Sequence, residues 1–249
     1  MSLSLFVTDL DNTLVGDDLA LTQLNQKLNY YRQSQGTKIV YATGRSLTLY
    51  RQLAETKKLL TPDALITSVG TEIYDIGNDF ADSQWSERIS QGWNRDLILS
   101  TSSQFIDLVL QPDSEQRPFK VSYLVSNEIA REVLPLLKNA LDSQKLDVEI
   151  IYSGSKDLDI LPKGVDKGKA VSFLSQRWNI ESSQTVVCGD SGNDIALFQS
   201  NQEKGIIVGN AQNELLEWHY ANPSHNRYLA KSYYAHGIIE GLKYFDFYE

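Results

Sequence analysis

The sequence predicts an α/β fold: a parallel sheet covered by helices, with a smaller α+β unit inserted into it. Three observations predict this. Strand-like apolar runs and helical patterns alternate from Leu3 to Val69, the rhythm breaks in the middle of the chain, and it returns after Pro162. Alternation implies right-handed β-α-β crossovers and parallel strands. Strands and helices without that rhythm imply a separate α+β arrangement.

Each element has its own signal. Leu3 to Leu10 reads as a strand on the run Leu3, Leu5, Phe6, Val7, followed by a helix over Leu21 to Gln33, a strand over Thr37 to Ala42, a helix over Ser46 to Leu60 and a third strand over Ala64 to Val69. Asp75 to Gln84 is rich in Gly, Asn, Asp and Ser and reads as a linker. Trp85 to Leu110 reads as helical for part of its length, and Phe119 to Val125 alternates as a strand does. A helix is expected from Asn127 to about Asp142, with Ile129, Val133, Leu136, Leu137, Ala140 and Leu141 on one face and Pro135 kinking or restricting it. Val148 to Tyr152 and Leu158 to Leu161 complete the insert as strands. Then come a helix over Lys167 to Trp178, strand Gln184 to Gly189, helix Asp194 to Gln199, strand Gly205 to Val208, helix Gln212 to Tyr220 and a closing helix near Ala235 to Tyr244. The expected division is residues 1–79 and 163–249 for the parallel core and 80–162 for the insert.

Composition excludes several classes of function. The 249 residues, 41% of them hydrophobic, can bury one large core plus a small appended one. No apolar stretch reaches membrane-spanning length. A net charge of -9 argues against nucleic acid and anionic membrane surfaces as partners. An anionic substrate must therefore be captured by local cations and backbone N–H groups, against the sign of the overall field. The chain passes straight into a strand without a cleavable apolar segment, and the lone Cys188 allows no intramolecular disulfide, so a cytoplasmic location is expected.

The chemistry-bearing residues gather where strands end. Asp9 and Asp11 follow the first strand at a spacing of two, which points both carboxylates into one small volume where they repel unless a cation or proton lies between them. Such a pair suits metal-assisted phosphoryl transfer. Ala42-Thr43-Gly44-Arg45-Ser46 closes the second strand with a hydroxyl and a glycine N–H that can approach an oxyanion. Asp166-Lys167-Gly168-Lys169 opens a helix with an ammonium, and Gly189-Asp190-Ser191-Gly192-Asn193-Asp194 closes another strand with two more carboxylates. Taken singly, Asp166 and Asp194 could serve as helix caps, Thr43-Gly44 as a turn and Lys167 as a surface charge. The 3 His residues lack metal-ligand spacing.

Together these four segments resemble the four motifs of the haloacid dehalogenase (HAD) phosphatase superfamily, and the resemblance spans essentially the whole chain. Asp9-x-Asp11-x-Thr13 is similar to the motif of its phosphatases, and the insert lies where a type C2 cap lies on the superfamily's Rossmann-like core. Tyr41 to Ser46, Gly70-Thr71-Glu72-Ile73-Tyr74, Phe119 to Tyr123, Ser153 to Pro162 and the ending His236 to Phe247 are similar to the sucrose-phosphate phosphatase family of photosynthetic organisms. The resemblance implies Asp9 as a nucleophile forming an aspartyl-phosphate and Asp11 as general acid and base. It implies Mg2+ as cofactor, with Asp9, Asp190 and the backbone carbonyl of Asp11 as ligands, and Asp194 orienting Lys167 or a metal-bound water. Thr43 and the Gly44 N–H would hold phosphoryl oxygens while Lys167 neutralises charge, with Arg45, Ser191 and Asn193 nearby. In the cap, polar residues able to read sugar hydroxyls are Lys120, Ser122, Tyr123, Asp157 and Asp159, although Tyr123 could be core and the two acids a solvated face. Arg45 and Glu72 could meet a sugar or each other. The implied substrate is sucrose-6-phosphate. Alternatives are another sugar phosphate (glucosylglycerol phosphate, mannosyl-phosphoglycerate, a hexose phosphate), a phosphotransferase reaction, or a non-catalytic partner of sucrose-phosphate synthase. A monomer, with that synthase as a further partner, is expected.

Overall fold

The computed structural model describes residues 3–200 and 202–247. Residues 1, 2, 201, 248 and 249, which fall within the ranges expected for the parallel core, lie outside the described residues. In chain order the first elements are β1 (Leu5–Thr8), α1 (Asp18–Gln35), β2 (Lys38–Ala42), α2 (Leu47–Lys57), β3 (Ala64–Thr67) and β4 (Glu72–Asp75). The middle contributes α3 (Ser83–Ile89), α4 (Arg95–Ser102), β5 (Val109–Leu110), β6 (Val121–Leu124), α5 (Asn127–Ser143), β7 (Val148–Ser153) and β8 (Asp157–Pro162). The chain then forms α6 (Lys167–Trp178), β9 (Thr185–Gly189), α7 (Ile195–Phe198), β10 (Lys204–Ile207), α8 (Asn213–Ala221), β11 (Arg227–Leu229) and α9 (Tyr234–Tyr244).

Two sheets result. The larger runs β11-β10-β9-β1-β2-β3-β4 and is parallel except for β4, which returns antiparallel beside β3. Both of its faces are covered, as a parallel sheet requires. One cluster joins Phe6, Tyr41, Val186 and Ile206 to Leu24 and Leu28 of α1 and Ile238 and Leu242 of α9. The other joins Val7, Val40, Ile66 and Val187 to Ala170 and Leu174 of α6, with Trp85 and Ile89 of α3 in the same core. The register sets Thr8 opposite both Tyr41 and Cys188, so the segments that follow β1, β2 and β9 emerge side by side at one edge.

The smaller sheet, β5-β6-β8-β7, is antiparallel throughout. Its alternation decides which side chains go where. Val121 and Tyr123 of β6 and Leu158 and Ile160 of β8 face a core shared with Ile98 of α4 and Val133, Leu137 and Leu141 of α5. The intervening Ser122, Asp157 and Asp159 therefore share the opposite face.

The α/β class with an α+β insert is the architecture expected from the sequence. The differences lie in short or turn-bound elements. The third strand stops at Thr67 because Ser68 and Val69 both turn to positive φ (53° and 61°), and β4 then folds back. The short strands β5 and β11 and the short helices α3 and α4 carry too few residues to show a period. Pro135 does not end α5, which continues through it on the buried face of Val133, Leu137 and Leu141.

Candidate active site

Three strand ends and one helix start build the site. Asp9 directly follows β1 and its N–H donates to the Cys188 carbonyl (3.0 Å), which fastens it beside the β9 end. Lys167 begins α6, whose cap is Asp166 accepting from the Lys169 N–H at 2.7 Å. The Lys167 ammonium is fully buried and donates to Asp9 Oδ1 and Asp194 Oδ1, both at 2.7 Å. The second oxygen of Asp194 accepts from the backbone N–H groups of Asp190 (2.9 Å) and Ser191 (3.1 Å). Asp194 is thus fully engaged, and what it orients is Lys167. Its approach requires Gly189, where a Cβ would lie 2.5 Å from the Asp194 side chain.

Asp190 accepts from the Thr13 hydroxyl at 2.8 Å. Thr13 is fully buried and is a site residue the sequence reading did not single out, although its place in the Asp9-x-Asp11-x-Thr13 segment was the available signal. Oxygens of Asp9, Asp190 and Asp194 lie within 4.8 Å of one another, with a single ammonium among them. Burial raises Asp9 from 3.8 to about 7 in spite of Lys167. Burial, reinforced by the charge of Asp9, raises Asp190 to about 9. Although burial opposes the Lys167 charge, Asp194 and Asp9 hold its ammonium above the ordinary lysine range. An all-oxygen donor set with excess negative charge fits a hard divalent cation.

The remaining predicted residues separate into lining and supporting positions. A cavity of about 530 Å³ is bounded on one side by Asp9, Asp11, Gly44, Arg45, Asp190, Ser191 and Asn193 and on the other by Lys120, Asp157 and Asp159. Thr43 is fully buried behind it, its hydroxyl accepting from the Arg45 N–H at 3.1 Å. Arg45 meets neither a sugar nor Glu72. Its Nε and Nη2 each donate to Asp11 at 2.7 Å. Ser122 is buried away from the cavity, its hydroxyl donating to Asp159 at 2.6 Å, and Tyr123 lies in the small-sheet core. Asn193 reaches across to the Ser153 hydroxyl at 3.3 Å. Gln111, Glu115 and Lys156 also line the cavity and were not foreseen. Gln111 and Glu115 lie in the irregular stretch between β5 and β6, where no periodicity marks a face.

Comparison with known proteins decides the family. The family model described as sucrose-6F-phosphate phosphohydrolase matches residues 2–246. The chain belongs to that family. It is 40% identical over 249 residues to sucrose-phosphatase 2 of Nicotiana tabacum, covering 96% of this chain and 58% of the tobacco protein. It is 31% identical over 242 residues to mannosylfructose-phosphate phosphatase of Agrobacterium fabrum, covering 97% and 96% of the two chains. The chain thus spans less than two thirds of the length of the plant relatives it matches. Among solved structures, the sucrose-phosphatase from Synechocystis sp. PCC6803, in complex with sucrose and phosphate, superposes with a TM-score of 0.92 at 39% identity, covering 99% of both chains. A haloacid dehalogenase-like hydrolase protein from Bacillus subtilis, at 20% identity and a TM-score of 0.68, shares the fold.

Proposed function

We propose that this chain is a Mg2+-dependent phosphatase that hydrolyses sucrose-6-phosphate to sucrose and phosphate. One juxtaposition carries the reading: the buried Asp9–Lys167–Asp194 chain opens into a cavity whose far wall is the polar face of a small antiparallel sheet. The Synechocystis relative, which holds sucrose and phosphate, supports the choice of sugar.

In this reading the Asp9 carboxylate attacks phosphorus and forms an aspartyl-phosphate as the sugar oxygen departs, taking a proton from Asp11. Asp11, now a carboxylate, takes a proton from water as that water attacks the phosphoryl group, and Asp9 is released with inorganic phosphate. Lys167 neutralises charge beside Asp9, and Thr43 with the Gly44 N–H holds the phosphoryl oxygens. Asp9, Asp190 and the Asp11 carbonyl would hold Mg2+, which supplies screening of the phosphate's charge. Asp194 keeps Lys167 in place. Arg45 holds Asp11 until substrate arrives.

The small sheet with α4 and α5 serves as the cap and reads the sugar through Lys120, Asp157 and Asp159. Two polar straps tie it to the core: Glu115 accepts from Ser46 (3.1 Å) on one side, and the Gly154 N–H donates to Glu214 (2.9 Å) on the other. Cys188 is buried and unpaired, which suits a reducing cytoplasm, and no described helix is long and apolar enough to cross a membrane.

A second reading, a mannosylfructose phosphate as substrate, is favoured by the Agrobacterium relative. Phosphate release should be measured on sucrose-6-phosphate, mannosylfructose phosphate, trehalose-6-phosphate, glucose-6-phosphate and fructose-6-phosphate. The highest kcat/KM is expected for sucrose-6-phosphate. A monosaccharide ester at the top would overturn the sugar assignment.

A further inference from the structure

Glu72 and Arg117 take no part in the chemistry proposed above, yet they join the edge of the large sheet to the segment that connects β5 and β6. Glu72, the first residue of β4, is 5% exposed. Its Oε2 accepts from the Thr67 and Ser68 hydroxyls (3.1 and 3.2 Å), which fixes the carboxylate to the large sheet. Its Oε1 receives both Nε (2.9 Å) and Nη2 (2.8 Å) of Arg117. A carboxylate so enclosed is costly to leave without its cation.

Arg117 opens a tight turn in which its N–H donates to the Lys120 carbonyl (3.1 Å) and the Lys120 N–H donates back to the Arg117 carbonyl (3.2 Å). On the cap side the turn is held by Trp93 Nε1 donating to the Pro118 carbonyl (2.7 Å) and by Arg95 Nε donating to the Arg117 carbonyl (3.3 Å). The Arg117 side chain is what refers this turn to the large sheet. Lys120 projects from the turn into the cavity wall, 2% exposed, with Nζ at 3.4 Å from the Gly44 carbonyl, 3.5 Å from Asp159 and 3.8 Å from Glu115. None of these contacts is short. The ammonium therefore takes its position from the turn more than from bonds of its own.

From this we infer that Arg117, seated on Glu72, is a positioning residue that sets the Lys120 ammonium against the sugar and so governs selectivity. The inference rests on the proposed reading of the cavity as a sugar-phosphate site. Arg117 touches no reacting atom, so its loss should register where Lys120 meets the sugar and nowhere else.

The test compares wild type, Arg117→Ala, Arg117→Lys, Lys120→Ala and the double variant Arg117→Ala/Lys120→Ala. Each is assayed on the sugar phosphate that wild type hydrolyses best and on 4-nitrophenyl phosphate. Arg117→Ala should raise KM for the sugar ester about ten- to a hundredfold while kcat moves less than about threefold, the signature of lost positioning. Its nitrophenyl phosphate kinetics should stay close to wild type. Arg117→Lys should recover part of the loss, since it keeps the charge on Glu72 but not the fork. The double variant should be no worse than Lys120→Ala alone, because the two residues act in series. Equal losses on both esters, or additive losses in the double variant, would overturn the inference. Should Arg117→Ala fail to fold, Arg117→Lys carries the same comparison with a smaller effect. A wild-type preference for a different sugar phosphate would remove the sucrose reading alone, whereas equal handling of sugar and nitrophenyl esters would remove both.

Discussion

The two walls of the cavity are built by opposite rules. On the parallel-sheet side, Asp9, Lys167, Asp194 and Asp190 are joined by bonds of 2.7 to 2.9 Å and each is at most 5% exposed. On the antiparallel side, Lys120 makes only contacts of 3.4 Å or more, and Asp157 is half-buried with Gln111 as its partner at 3.0 Å. The difference teaches where rigidity is required. Groups that meet charge developing at phosphorus gain from fixed geometry and water exclusion. Groups that read hydroxyls need only be polar and well placed, and they can change between relatives without touching the reaction.

Breaking the first wall should have the largest effect. Asp9→Asn removes the nucleophile with almost no change of volume, and Lys167 keeps Asp194 as a partner, so the fold should persist while turnover and covalent labelling by phosphate vanish. Appreciable turnover in that variant would remove Asp9 from the nucleophile's role. Asp11→Asn should cost about two to four powers of ten, the usual range for a general acid and base. A nitrophenyl ester, whose leaving group needs no proton, should recover part of the first step. Equal losses on sugar and nitrophenyl esters would mean that Asp11 works by positioning, as its bond to Arg45 would permit. On the second wall, Asp159→Asn keeps an acceptor for Ser122 but removes the charge beside Lys120, and kcat/KM on the sugar ester should fall about tenfold. A fall as large on nitrophenyl phosphate would erase the distinction between the walls.

The same contrast explains what the sequence made legible. Asp9, Asp11, Thr43, Lys167 and Asp190 follow strands or open a helix, where a local pattern of apolar run and acid or hydroxyl suffices to place them at one sheet edge. Alternation likewise separated Lys120, Asp157 and Asp159 from Val121, Leu158 and Ile160. Alternation could not say that Ser122 turns its hydroxyl to Asp159, because that depends on the pairing of β6 with β8. Nor could it find Arg45 on Asp11 or Arg117 on Glu72, pairs separated by 34 and 45 residues and fixed only by tertiary packing. Gln111 and Glu115 left no signal, since irregular backbone has no period to read.

The smallest expected effect sharpens the comparison by asking what the rigid wall costs. In the folded protein burial and the nearby Asp9 charge raise Asp190 from 3.8 to about 9, so folding near neutral pH takes up a proton that the unfolded chain has lost. A carboxyl raised in this way contributes its stability fully below the unfolded value and loses it as pH rises towards the folded one. Asn at position 190 mimics the protonated acid, keeps an acceptor for the Thr13 hydroxyl and does not titrate. In chelator-containing buffer Asp190→Asn should therefore match wild type at about pH 4 and exceed its Tm by a few degrees at about pH 8. Added Mg2+ should raise the wild-type Tm more than that of the variant, because a ligand stabilises only the state that binds it. Equal pH dependence in the two proteins would mean that the crowded carboxylates cost the fold nothing, and that the rigid wall is not held against its own charge.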